Sequence, residues 1–332
     1  MSPLQILLVI AVALLLVFGW LFGFGYYAYR VAFYNNPKKR VADPYRHVKD
    51  DGSAESEFSK RLIDEMIARP YDEDLYITSH DGLRLHARLY MQNENAPFAL
   101  QMHGYRSTPM LDFSGGGAFA LELGFNVIMP DQRACGLSEG RSVTFGLYES
   151  LDVLDWVKYI GDRFGAEKEI VLFGVSLGAG TVIMAAGRGL PESVKGVVAD
   201  CTFSSCKKIV MKVMRDKRIP SKPLYPFLRF GTVVYGGFDP NKSEPVEFAK
   251  NVKIPLALIH GEDDGFVPPD MSKEIYDVCR TAELHTFPGA RHGTSYIVDT
   301  ERYKKITVDF LGRILDNSTV LNLEKKGEKN EA

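Results

Sequence analysis

The sequence predicts an α/β protein in which a mostly parallel sheet is covered by helices on both faces. Short runs rich in β-forming residues recur along the chain, and stretches with helical spacing of apolar residues separate them. One run, residues 170–173, leads through a Gly-x-Ser-x-Gly turn at 174–178 into a helix of small residues. Strand–helix alternation of this kind is typical of parallel strands joined by crossover helices.

Length and composition limit the possible functions. The chain has 332 residues, of which 45% are hydrophobic and 25% charged, and these values suit one α/β domain of about 250 residues with appendages. The formal net charge of −2 gives no sign of a nucleic-acid partner, and we expect none. The four cysteines form no CxxC pair, which predicts reduced thiols and neither a zinc site nor a disulfide framework. No metal or cofactor is predicted, and the oligomeric state stays open.

The amino-terminal 34 residues are predicted to be a transmembrane anchor. Residues 6–29 contain no charged side chain, and about 20 apolar residues suffice to cross a bilayer core. Aromatic residues gather towards the end of this run, where a membrane interface would lie. A cleaved signal peptide would need a basic start and a small-residue cleavage site, and both are missing. Positive charges follow at Arg30, Lys38, Lys39 and Arg40, which predicts a single-pass cell-membrane protein with a cytoplasmic catalytic domain.

The elements after the anchor follow in a regular order. Residues 35–70 read as a juxtamembrane linker that ends in a docking helix, and residues 71–316 as the main domain. Asp81 and Gly82 supply the turn of a hairpin. The predicted strands are residues 75–80, 83–90, 98–102, 125–130, 170–173, 197–200, 254–259 and 283–287. Helical patterns separate these strands and also close the domain near residue 314.

Residues 203–250 interrupt the strand–helix alternation and are predicted to form a short lid. Insertions at the carboxyl ends of strands are common in this fold class. The lid could be an ordinary solvated helix face with a packed underside, or it could meet anionic lipid headgroups. The tail, residues 317–332, is too polar to pack and is predicted to be disordered. The lid segment interleaves aromatic residues with Lys207, Lys208, Lys212, Arg215, Lys217, Arg218, Lys222 and Arg229.

Ser176 lies at the apex of the Gly-x-Ser-x-Gly turn and is a candidate nucleophile. A serine hydroxyl needs a base to take its proton, and in this fold the serine, the acid and the histidine follow in that order. His292 comes directly after the last predicted strand, and Asp264 follows the strand before it. Asp263 competes with Asp264 for the role of the acid. The acidic run at residues 262–264 lacks further ligands at useful spacing, so it does not predict a metal site.

These motifs together resemble the α/β-hydrolases. The resemblance covers about residues 75–315, and it is nearest to bacterial membrane-anchored serine hydrolases related to cinnamoyl-esterase, lysophospholipase-like and prolyl-oligopeptidase-type enzymes. It rests on the turn at 174–178, on His103-Gly104, and on the string His260-Gly261-x-x-Asp264-x-x-Val267-Pro268. The resemblance implies an α/β-hydrolase fold with Ser176 as nucleophile, Asp264 as acid and His292 as base.

The same resemblance implies roles for further residues. The backbone N–H groups of Tyr105 and Leu177 would form the oxyanion hole, and Asp200 is an alternative acid because some relatives draw the acid from that strand. One departure is the stretch 131–138, where relatives often have a Gly-His-Gly run. Because that loop shapes the pocket rim in relatives, the change bears on substrate choice. The implied supporting residues of the site are His103, Gly104, Gly174 and Gly178.

We therefore expect a membrane-anchored serine hydrolase that cleaves carboxylic esters through an acyl-enzyme. The anchor and the lid point to lipid or lysolipid acyl esters, with a small-molecule ester as the other possibility. A serine peptidase or acyl-peptide hydrolase is one alternative, although the sequence shows no large propeller like that of the oligopeptidases. A catalytically inactive scaffold with the same fold is the other, and the presence of serine, acid and histidine argues against it.

Overall fold

The computed structural model describes residues 2–37, 40, 45, 48 and 51–315, and its centre is an eight-stranded sheet. The strand order is β1-β2-β4-β3-β5-β6-β7-β8. β2 runs antiparallel to both of its neighbours, and the other pairs are parallel. The strands are β1 (Glu73–Thr78), β2 (Arg84–Tyr90), β3 (Phe98–Met102), β4 (Asn126–Pro130), β5 (Ile170–Val175), β6 (Val194–Asp200), β7 (Leu256–Gly261) and β8 (Ala282–Phe287). The predicted fold class and the predicted strands are confirmed.

Helices cover both faces of the sheet. One core contains Trp156 and the small-residue helix after Ser176, and the other contains Phe310 and the docking helix before β1. The central strands are buried on both sides, which explains their continuous apolar runs. The helices are α1 (Pro3–Ala32), α2 (Ala54–Ala68), α3 (Pro109–Asp112), α4 (Gly116–Glu122), α5 (Glu149–Phe164), α6 (Leu177–Arg188), α7 (Cys206–Asp216), α8 (Ser221–Gly231), α9 (Pro245–Ala249), α10 (Asp270–Val278), α11 (Ser295–Val298) and α12 (Thr300–Ile314).

The turn between β5 and α6 is strained and tightly packed. Ser176 has φ 55° and ψ −112°, a combination that costs a non-glycine residue roughly 1–3 kcal/mol. A Cβ on Gly178 would lie 1.7 Å from the carbonyl oxygen of Met102, and a Cβ on Gly174 would lie 2.4 Å from that of Gly178. Because both positions exclude any side chain, the start of α6 can lie directly against the end of β3.

α1 is long and apolar enough to cross a membrane by its length and composition, and its second half packs against the predicted lid. A Cβ on Gly231 would lie 1.9 Å from the carbonyl oxygen of Gly25, so the backbones of α1 and α8 touch. The rings of Trp20 and Phe227 meet edge to face with centroids 5.2 Å apart. Phe33, just after α1, is 0% exposed. The carboxyl-terminal part of the predicted anchor therefore packs against the main domain and is not separate from it.

The insertion after β6 is helical in the structure and consists of α7, α8, a π-helical turn at Thr232–Gly236 and α9. Several of its basic residues form ion pairs with carboxylates of the same chain: Lys208 pairs with Glu274 at 2.7 Å, and Arg229 pairs with Asp239 at 2.6 Å. The predicted disordered tail, residues 317–332, lies outside the described residues.

Candidate active site

The structure brings Ser176, His292 and Asp264 into one hydrogen-bonded chain. His292 Nε2 lies 2.9 Å from Ser176 Oγ, and His292 Nδ1 lies 2.6 Å from Asp264 Oδ2. Ser176 follows β5, Asp264 follows β7 and His292 follows β8, so all three stand at the carboxyl edge of the parallel strands. Residues far apart in the sequence meet there because parallel strands end on the same side of a sheet.

Asp264 is buried, and its carboxyl group is held ionised by its neighbours. Oδ1 accepts hydrogen bonds from the backbone N–H groups of Phe266 and Val267, at 2.9 and 2.8 Å. Burial alone would raise the pKa of this carboxyl, but the hydrogen bonds from His260 and His292 hold the pKa well below its usual range. An ionised Asp264 keeps the proton of His292 on Nδ1, which leaves Nε2 free to accept the Ser176 proton.

Among the described residues, neither of the two other candidate acids is hydrogen-bonded to His292. Asp263 is exposed, and Asp200 is the last residue of β6 and lines the cavity beside Ser176. Because Asp264 contacts Nδ1 of His292 directly, the geometry favours Asp264 over both alternatives.

The loop after β3 approaches the amino terminus of α6. Leu177 is the first residue of α6, so its N–H has no acceptor within the helix. Buried His103 accepts the Gln132 N–H at Nε2 (3.0 Å), which makes it the tautomer whose Nδ1–H donates to the carbonyl oxygen of Gly104 (2.8 Å). The side chain of His103 is thereby committed to ordering the loop that carries Tyr105.

Asp112 supports this loop and was not found from the sequence. Its carboxylate accepts hydrogen bonds from the Gly104 N–H and from the Ser107 hydroxyl. Asp112 is the last residue of the short helix α3, and a lone aspartate there carries no sequence pattern that would reveal such a role. The end of α1 contacts the same loop, since the Tyr105 hydroxyl donates to the carbonyl oxygen of Ala32 at 2.7 Å.

A cavity of about 540 Å³ opens beside Ser176 and lies under α2. Leu62 and Ile63 of α2 form part of its roof, and the ion pair between Glu55 and Arg291 (2.9 Å) ties α2 to the loop of His292. Among the described residues, none from 203–250 lines this cavity, so the predicted lid does not cover it. α2, the predicted docking helix, covers the cavity instead.

The loop at 131–138 also differs from the expectation. None of its residues lines the cavity beside Ser176; instead, Gln132 holds His103, and Arg133 is anchored by a buried ion pair with Asp152 at 2.5 Å. The stretch that departs from the family pattern therefore supports the loop after β3 and does not line the cavity.

One cluster has the composition of a metal site. His80, Asp152 and Asp155 bring possible ligand atoms within 4.8 Å of one another. Asp152 already binds the Arg133 guanidinium through both carboxylate oxygens. Neighbouring carboxylates raise the pKa of Arg133 despite its burial, so its positive charge persists where a metal ion would have to bind.

Comparison with known proteins finds similarity to hydrolases. Residues 111–225 match the family model described as alpha/beta hydrolase fold, and residues 196–292 match the one described as serine hydrolase (FSH1). The Pyrococcus furiosus esterase Pf2001 superimposes with a TM-score of 0.61 at 25% identity, over 76% of this chain and 94% of that one.

Two curated relatives extend the comparison. The Bacillus subtilis protein YqkD is 27% identical over 60% of this chain and 66% of its own length. The rat lysophosphatidylserine lipase ABHD12 is 25% identical over 66% of this chain and 56% of its own length. The matches therefore span between about half and two thirds of these relatives. The family models are described by a hydrolase fold and a serine hydrolase, and the named relative and the solved structure are a lipase and an esterase.

Proposed function

We propose that this serine hydrolase of the α/β-hydrolase fold cleaves carboxylic esters with Ser176 as nucleophile, His292 as general base and Asp264 as the orienting acid. The observation that carries the proposal is the continuous hydrogen-bonded chain from Ser176 Oγ through the His292 imidazole to the Asp264 carboxylate. A water-accessible cavity at the nucleophile supports it further, because an ester has room to reach Ser176.

The geometry supports a two-step reaction. His292 Nε2 accepts the Ser176 proton as Oγ attacks the acyl carbonyl, and ionised Asp264 stabilises the resulting imidazolium. The backbone N–H groups of Tyr105 and Leu177 would stabilise the tetrahedral oxyanion, and each such donor is worth about 3–4 kcal/mol. His292 then protonates the leaving alcohol, and it activates the water that releases the acid from Ser176.

The substrate class we favour is an ester with a long acyl chain, such as a lipid or lysolipid. α1 would anchor the enzyme in the cell membrane as a single span, with the catalytic domain on the cytoplasmic side, where the charges after the span favour it. The contact of α1 with α8 would hold the domain against the bilayer, and Leu62 and Ile63 of α2 give the cavity an apolar stretch of wall that suits an acyl chain. The name of the mammalian relative, a lysophosphatidylserine lipase, agrees with this class.

Labelling by a fluorophosphonate probe tests the reaction. The full-length chain in detergent should react with the probe at Ser176, and Ser176→Ala should lose both labelling and ester hydrolysis at an unchanged unfolding temperature. Retention of either activity in Ser176→Ala would exclude Ser176 as the nucleophile.

A panel of nitrophenyl esters with two to sixteen acyl carbons, together with a matched peptide anilide, tests the substrate. We expect kcat/KM to rise with acyl length and the anilide to react far more slowly. A short-chain optimum would contradict a lipid substrate, and a faster anilide would make the enzyme a peptidase.

A further inference from the structure

The carboxyl-terminal end of the proposed membrane span lies against the loop that follows β3. The Tyr105 hydroxyl donates to the carbonyl oxygen of Ala32, the last residue of α1, at 2.7 Å. The guanidinium group of Arg106 donates to the carbonyl oxygen of Tyr34 at 2.6 Å. Two consecutive residues of the loop are therefore bound through their side chains to the segment in which α1 ends.

Both contacts follow from the chemistry of a helix end. The last four carbonyl groups of an α-helix have no partner within the helix, and the carboxyl end of the helix dipole attracts positive charge. A tyrosine hydroxyl supplies a hydrogen-bond donor, and an arginine supplies donors together with a positive charge. Tyr105 and Arg106 thus complete the hydrogen bonding at the end of α1, and the same bonds fix their side chains.

The backbone of the loop is strained at the same point. Arg106 has a φ of 51°, in the left-handed region that a non-glycine residue rarely adopts. Such a conformation persists only where the surrounding contacts determine it. Within the domain, Asp112 accepts the Gly104 N–H, and His103 donates to the carbonyl oxygen of Gly104. The peptide that carries the Tyr105 N–H is therefore held from the domain on one side and from the end of α1 on the other.

The chain directly after α1 is itself fixed by aromatic packing. Buried Phe33 lies against Phe145 with ring centroids 5.5 Å apart, and Phe145 lies against Tyr105 at 5.3 Å. Phe145 and Tyr105 both pack against the apolar cluster that contains Leu177. The Val143 N–H also donates to the carbonyl oxygen of Phe33 at 2.9 Å. A displacement of the end of α1 would therefore disturb the packing around the residues of both proposed oxyanion donors.

We propose that α1 is part of the catalytic scaffold, because its carboxyl-terminal end positions the oxyanion donor of Tyr105 through the Tyr105 hydroxyl and the Arg106 guanidinium group. Both side chains are positioning groups, since they act through the backbone of the loop. This inference rests on the proposed function, which assigns the Tyr105 N–H to the oxyanion hole. It goes further because the helix that would anchor the enzyme also sets the stabilisation of the transition state.

Two inhibitors of the full-length enzyme in detergent separate positioning from folding. Octyl trifluoromethyl ketone forms a tetrahedral adduct with a nucleophilic serine and needs the oxyanion donors, whereas the matching trifluoromethyl carbinol binds without an adduct. Tyr105→Phe and Arg106→Met should each lower kcat/KM about tenfold and weaken the ketone by the same factor. The affinity for the carbinol should stay within about twofold. Arg106→Lys keeps a donor and the charge, and it should recover most of the loss.

Gly25→Leu tests whether α1 itself carries the effect. Gly25 precedes Ala32 by about two helical turns, or roughly 10 Å, and it contacts α8. A leucine there should displace α1 and lower kcat/KM and ketone affinity together by about threefold or more. Gly23→Leu and Tyr148→Phe are the matched controls and should keep wild-type values. A Cβ on Gly23 meets no atom within 4 Å, and the Tyr148 hydroxyl donates to the carbonyl oxygen of Gly237 in the insertion at 3.1 Å.

Three results would overturn the positioning role: wild-type kcat/KM in both Tyr105→Phe and Arg106→Met, a loss of kcat/KM that leaves ketone affinity unchanged, or wild-type values in Gly25→Leu. Fluorophosphonate labelling to completion counts the reactive Ser176 sites, so an unfolded fraction does not enter kcat. A wild type that does not label refutes the proposed function. A labelled wild type with any of the three results refutes only the role of α1.

Discussion

At the scale of single residues, the environment of each carboxyl group in the site decides its charge. Asp264 and Asp200 follow neighbouring strands and are both buried, yet their pKa values move in opposite directions. Asp264 receives hydrogen bonds from two histidines and two backbone N–H groups, whereas Oδ1 of Asp200 has no hydrogen-bond partner within the described part of the chain. Hydrogen bonding outweighs desolvation in the first case, and desolvation outweighs it in the second.

Asp264→Asn should lower kcat by about 10⁴-fold, because an amide no longer holds the proton of His292 on Nδ1. Ester hydrolysis and fluorophosphonate labelling rates measure the loss. Asp263→Asn makes the same chemical change on the exposed neighbour, and we expect its kcat to stay within twofold of the wild type. Equal losses in both variants would contradict the assignment of Asp264.

Asp200 should make stability depend on pH between about pH 4 and pH 6. Its pKa is raised in the folded state to about 6 from 3.8, so the folded state binds more protons in this window and the free energy of unfolding falls as pH rises. Asp200→Asn removes this loss. Relative to the wild type, it should gain up to about 3 kcal/mol between pH 4 and pH 7.

Chemical denaturation of the full-length protein in detergent at several pH values measures this difference. A difference between Asp200→Asn and the wild type that does not change with pH would show that Asp200 has an ordinary pKa in the folded state.

At the scale of elements, the packing positions of two helices were not predicted from the sequence. α2 covers the cavity at Ser176, and the second half of α1 lies against α8. The length of its uncharged apolar run revealed α1. Apolar spacing revealed α2, since it shows which side of a helix is buried. It does not show which surface buries that side, because most apolar surfaces attract each other through the same non-directional effect.

The contact of α1 with α8 should depend on glycine at position 25. Gly25→Leu places a side chain where even a Cβ would lie 3.1 Å from the Phe230 ring, so we expect the variant to lose about 1–3 kcal/mol of stability. Gly23→Leu is the matched control, because a Cβ on Gly23 meets no atom within 4 Å. Unfolding temperatures in detergent measure both, and equal values would contradict the packing.

At the scale of the whole molecule, the proposed span α1 and the helical insertion pack together into one continuous surface. Val233 and Val234 are exposed next to the contact between α1 and α8. Lys217, Arg218 and Lys222 are exposed nearby and have no carboxylate within 4.0 Å among the described residues. These three charges are among the basic residues of the insertion that have no carboxylate partner in the described part of the chain, whereas Lys208 and Lys212 are paired.

Replacing Lys217, Arg218 and Lys222 together by glutamine should weaken the contact of the insertion with anionic lipid, at about 1 kcal/mol per charge. Hydrogen exchange of residues 217–235 in nanodiscs measures it, and the wild type should be better protected in anionic than in neutral lipid. The triple variant should lose that difference.

The control for this triple variant replaces exposed lysines outside the insertion by glutamine: Lys158, Lys273 and Lys305. The control should keep the difference in protection between anionic and neutral lipid. Equal protection of the wild type in both lipids would make the insertion an ordinary solvated surface.

The sequence by itself determined the fold class, the order of the strands along the chain and the candidate residues Ser176, Asp264 and His292. These predictions depend on local signals: the alternation of strand and helix patterns, the residue types at turns, and the order of the motifs that follow the strands. Only the tertiary structure decided that Asp264 contacts His292, that α2 covers the cavity, and that Asp112 and Asp200 stand beside it. Such neighbours come from distant parts of the chain, and their contacts depend on how the strands and helices pack.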